Sequence, residues 1–146
     1  MSRIFQRIPG TNVTLVKSRD ISVMQRLALV RPWISRSART GALLLLSRHP
    51  IAGTVAKSRK GWRIYVSPLH AGGMTLSQII AHERFHTLPV AGLSEIAAHF
   101  WGGLHRRPGR LSWKYGLHDV LTLAFQRPVR FITELIALPL LILALS

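Results

Sequence analysis

The stretch TLSQIIAHERFHTLP, residues 75–89, constrains this chain more tightly than any other. Thr75 followed three residues later by Gln78 is a capping box. The threonine hydroxyl takes a backbone N–H left over by the first helical turn, and the glutamine side chain reaches back to the threonine N–H. An apolar-periodic run follows, and Pro89 disfavours helix in the residue before it. The spacing predicts a helix from about Leu76 to His86 or Thr87, carrying His82, Glu83 and His86 on a frame with a fixed start.

Elements on both sides of this helix can be read in the same way. Upstream, IAGTVAK, SRKG and WRIYVSP form a predicted β-hairpin with Gly61 suited to positive φ in the turn. In its second strand Trp62, Ile64 and Val66 alternate with Arg63, Tyr65 and Ser67, giving one apolar face. Downstream, TLPVAG makes a turn and Ser94 caps a second helix, EIAAHFW, which the pair Gly102-Gly103 is expected to end. A basic loop, LHRRPGR, precedes WKYGLHDVLTLAF, read as one helix or as two pieces broken at Gly116. Residues 126–130, with Pro128, interrupt it before the apolar C-terminal stretch FITELIALPLLILALS.

Nearer the N-terminus, Asp20 or Ser22 can cap a helix through ISVMQRLALV. Its buried face would be Ile21, Met24, Leu27 and Ala28, with Arg31-Pro32 closing it. GALLLLS is core, with helix and strand both open. The expectation is a basic N-terminal segment with a short helix (1–40), a core (41–126) and an apolar C-terminal helix (127–146), in an α+β fold.

Composition limits the chemistry. The 146 residues suffice for one modest core. Without cysteine, any metal must be held by His, Asp, Glu or water. Twenty Lys and Arg stand against five Asp and Glu, for a net charge of +15, so the chain seeks anions: nucleic acid, an anionic membrane or an acidic partner. The cations are scattered rather than striped, and 16 of the 20 are arginine, which ranks nucleic acid below the other partners. With so few carboxylates each is informative, and Glu83 and Glu95 lie in one stretch of histidines, AHERFHTLPVAGLSEIAAHF.

His82 and His86 are four residues apart, so on a helix their side chains leave one face roughly 6 Å apart. Two imidazoles so placed match the bite of a tetrahedral zinc ion. Glu83 is displaced around the helix, within reach of a metal-bound water. The pattern is H-E-x-x-H in its required helical context.

On these residues the segment 51–105 resembles the active-site region of the zincin superfamily of metallopeptidases. The resemblance implies a small zincin-like domain, a hairpin or small sheet on the H-E-x-x-H helix with an antiparallel helix after it. It implies one zinc ion on His82 and His86, Glu83 as general base, a third ligand from downstream, and hydrolysis of a protein or peptide substrate by a glutamate-assisted zinc-bound water. Pro89 and Gly92 stand where the metzincin extension has Gly and His. The gluzincin pattern takes a glutamate from a second helix, and Glu95 fits it after an unusually short interval of eight residues. An antiparallel second helix would bring Glu95 to the level of His86 and His99 to that of His82. Glu95 is the expected third ligand, with His99 as alternative ligand or partner orienting Glu95. His105 and His118 are weaker alternative ligands, and His105, Tyr115 and His118 are candidate oxyanion stabilisers. The WRIYVSP strand would pair with extended substrate.

A different class is the rival: a basic protein binding nucleic acid or anionic membrane, with a structural or inactive zinc site. For the tail, three readings compete: a membrane anchor, an in-plane helix and a buried core helix. The first run apolar enough to attract a signal-peptide reading, 42–46, is too late and too short. A cytoplasmic or peripherally or C-terminally membrane-associated location is expected.

Overall fold

In the second strand of the hairpin, β4 (Gly61–Val66), Ile64 and Val66 are fully buried while Arg63 is exposed, as the alternation demands. The computed structural model describes residues 3–29, 50–89 and 91–146; GALLLLS and Arg31-Pro32 lie outside them. β3 (Gly53–Ser58) pairs with β4 antiparallel, and Gly61 takes φ +106° where the turn closes. Two strands ahead of residue 40 had no counterpart in the sequence reading. β1 (Phe5–Arg7) and β2 (Val13–Val16) pair antiparallel, and β2 pairs parallel with β4, in the order β1-β2-β4-β3. The fold is α+β, with a mixed four-stranded sheet.

Helix α1 (Ile21–Leu29) starts at Asp20, whose Oδ1 accepts the Ser22 N–H at 2.9 Å. Met24 and Ala28 are buried as expected, whereas Ile21 stays at the surface. α2 (Leu76–Phe85) has the capping box: Thr75 Oγ1 accepts the Gln78 N–H at 3.3 Å, and Gln78 Oε1 accepts the Thr75 N–H at 3.4 Å. Its Ile79 joins Val13, Val55, Ile64 and Val66 in the core. Each such side chain contributes roughly 1.5–3 kcal/mol when buried, so this cluster fixes α2 on the sheet.

Ser94 caps α3 (Glu95–Leu104), its Oγ accepting the Ala97 N–H at 3.1 Å. The helix does not stop at Gly102-Gly103 but runs through both. A Cβ on Gly102 would lie 3.0 Å from that of His82, so the glycine sets how closely α2 and α3 approach. α4 (Trp113–Gln126) is likewise unbroken, and Gly116 is packed under Phe100, where a Cβ would lie 2.9 Å from the ring. In both cases the missing side chain serves helix contact rather than termination.

α5 (Pro128–Leu145) begins with the proline that was read as an interruption; at the first position of a helix its missing N–H is no loss. α5 does not complete the core, since none of its 18-residue window is buried.

Candidate metal centre

α2 and α3 run antiparallel. Glu95 lies opposite His86, the His99 ring stands edge-on to that of His82 with centroids 4.6 Å apart, and the Ser77 hydroxyl donates to the carbonyl of His105 at the far end. Pro89 and Gly92 lie in the reversing segment, whose short 3-10 turn (Ala91–Leu93) leads to Ser94. The eight-residue interval is therefore long enough.

Four side chains converge. His86 Nε2 lies 3.2 Å from His82 Nε2 and 3.2 Å from Glu95 Oε1, and His82 Nε2 lies 3.5 Å from Glu95 Oε2. A tetrahedral ion with ~2.1 Å bonds spaces its ligands ~3.4 Å apart, and each of these contacts is near that length, with the two histidines meeting different oxygens of Glu95. His99 Nε2 lies 3.6 Å from Glu95 Oε2, and His82, Glu95 and His99 offer ligand atoms within 4.8 Å of one another. A set of imidazoles and one carboxylate fits zinc.

The ring of His86 is oriented from outside the cluster. Its Nδ1 donates to the Gly92 carbonyl at 2.6 Å, which leaves the Nε2 lone pair facing inward. This carbonyl contact fixes the tautomer and the direction of the ring together, as it does for histidines that bind metals. His86 is 3% exposed, and Glu83, also 3% exposed, lies on the sheet side of α2. A Cβ on Gly53 would come within 2.7 Å of Glu83 Cγ and Oε1, so the start of β3 is shaped around this carboxylate.

The charges in the cluster are coupled. Burial alone would raise the Glu95 carboxyl, but hydrogen bonds from His82 and His86 and their charge hold it well below the ordinary value. Burial would depress His86, yet the Glu95 contact, with lesser help from Glu83 and the Gly92 carbonyl, raises it above its ordinary value. Burial and then the charge of His82 lower His99 to about 4, so it is neutral at pH 7.

The remaining candidates lie elsewhere. The Nδ1 of His105, the residue ending α3, donates to the Trp101 carbonyl at 2.8 Å. Tyr115 lies beneath the guanidinium groups of Arg106 and Arg107, and His118 is exposed beside Asp119, which pairs with Gln78 near the start of α2. All three are engaged toward the N-terminal end of α2, away from His86. The WRIYVSP strand is also displaced from its expected role: β4 is internal, flanked by β2 and β3, and among the described residues β3 is the outer strand on that side.

One residue of the assembly was not anticipated in its role. Glu134 of α5 closes the start of α3. Its Oε1 accepts from the Ser94 hydroxyl at 2.5 Å and from the Ile96 N–H at 3.1 Å, and its Oε2 from the Glu95 N–H at 3.0 Å. The available signal was scarcity, since Glu134 is one of only five carboxylates and stands at the head of the apolar run 135–145.

Comparison with known families, curated proteins and solved structures returns no match to this chain.

Proposed function

We propose that the protein is a zinc-dependent peptidase in which His82, His86 and Glu95 hold one zinc ion and Glu83 is the general base. The observation that carries this reading is that the Nε2 atoms of His82 and His86 lie 3.2 Å from each other and 3.5 and 3.2 Å from the Glu95 carboxylate, spacings near those of ligands around one zinc ion. When bound, zinc supplies a Lewis acid that polarises a substrate carbonyl and acidifies water. Glu83 takes a proton from the attacking water and returns it to the leaving amine. His99, neutral at pH 7, flanks the Glu95 carboxylate at 3.6 Å and limits where it can turn.

Metal analysis of the purified protein tests the first half of the proposal. It should give about one zinc per chain, lost in His82→Ala and His86→Ala. The second half is tested with a fluorogenic peptide library: Glu83→Gln should keep the metal and lose at least ~100-fold in rate. Persistent hydrolysis by that variant would overturn the mechanism.

The proximity of His99 to Glu95 favours a second reading, a structural zinc closed by four protein ligands. His99→Ala separates the two: the catalytic arrangement retains its metal, whereas the closed one releases it.

A further inference from the structure

The sequence of residues 135–145, LIALPLLILAL, contains no polar side chain. Leu135, Ile136, Leu138, Leu140, Ile142, Leu143 and Leu145 are between 40% and 71% exposed. A helix that is apolar on every side has no polar face to lay along a membrane surface, and its solvent is protein interior or lipid. The segment is ~16 Å long at 1.5 Å per residue, deep enough to pass the headgroups and enter hydrocarbon.

The chemistry changes abruptly at residue 134. The Glu134 carboxylate is held by the Ser94 hydroxyl and the N–H groups of Glu95 and Ile96. A carboxylate anchored to a helix N-terminus of the folded domain is costly to draw into hydrocarbon. On its other side stand Arg127 and Arg130, both exposed, in a chain of net charge +15. Cations of that kind favour anionic headgroups.

We propose that residues 135–145 enter a lipid bilayer, that Glu134 marks the bilayer surface, and that the clamp on Ser94, Glu95 and Ile96 holds the histidine cluster beside the headgroups. The occupant of the apolar helix is the hydrocarbon of an anionic bilayer, chosen over a second protein copy because of the flanking arginines and the absence of any polar position on 135–145. Given the peptidase reading, on which this last step rests, the substrates are peptide segments that lie at the membrane surface.

The absence of cysteine makes single-cysteine variants of the full chain clean probes. Arg130→Cys, Leu138→Cys and Leu143→Cys are treated with a membrane-impermeant maleimide, with and without vesicles of phosphatidylcholine and phosphatidylglycerol. Position 130 should react equally in both, and positions 138 and 143 about tenfold or more slowly with vesicles. Leu88→Cys, near the cluster end of α2, carries a spin label whose relaxation should rise with lipids whose headgroups carry a coordinatively saturated gadolinium chelate, which the histidines do not bind. Unchanged reaction at 143, or no relaxation effect at 88, would overturn the proposal. Protection of 138 and 143 in buffer, accompanied by a dimer mass, would overturn it in favour of a second copy. None of these readouts needs zinc or turnover, so loss of the peptidase reading would leave the membrane seat standing, and loss of the seat would leave the zinc site untouched.

Discussion

At the scale of single residues, five carboxylates carry much of the design. Asp20 starts α1, Asp119 holds Gln78, Glu134 closes α3, Glu95 joins the histidines and Glu83 is buried against β3. Placement of Glu83 is testable through its neighbour. Gly53→Ala puts a methyl 2.7 Å from the Glu83 side chain, and such overpacking should cost about 1–3 kcal/mol, read as a lowered Tm. Metal affinity should depend on pH with a definite sign. His86 is raised and Glu95 lowered in the metal-free protein, so below the raised His86 value zinc must displace a proton. Affinity should therefore fall as pH drops, beginning above the ordinary imidazole midpoint near ~6.5, in a competition titration with a chromophoric chelator.

At the scale of elements, the centre depends on the spacing and the ends of two helices. Gly102→Val should force α2 and α3 apart, weakening both zinc binding and folding, whereas an added methyl on the open turn glycine Gly10 meets no atom within 4 Å and should leave zinc affinity unchanged. Glu134→Gln keeps the shape but removes the charge at the start of α3. It should cost about 1 kcal/mol in unfolding free energy and loosen zinc by up to roughly tenfold, measured by denaturation and by the same chelator competition. Much of this level was legible in the sequence. The capping box fixed the phase of α2, and Ser94 fixed that of α3, which together determine that Glu95 meets His86. What escaped was non-local. β2 has only four residues and gains its identity from pairing with β4, and a glycine in a helix contact has the same letter as one in a helix stop. Glu134 gave no pattern of its own, because its partner helix begins 39 residues earlier.

For the whole molecule, the proposed zinc ion would cross-link two helices that the chain otherwise joins by one short turn. Removing zinc with a chelator should lower Tm, and restoring it at about a thousandfold above Kd should add about 4 kcal/mol of stability. Calorimetry with and without metal measures this independently of any substrate. A shift absent in His86→Ala but present in Glu83→Gln would assign the effect to the ligands.

The parallel pairing of β2 with β4 sets the order in which such a chain can become itself. Val13 meets Ile64 across 51 positions, and between them lie α1 and the strand that makes the hairpin with β4. The hairpin and the capped helices can form from near neighbours, but the β1–β2 ribbon must wait for a surface that is synthesised much later. Long-range closure of this kind slows folding, and it makes the start of the chain, rather than the helix pair in its middle, the part that arrives last.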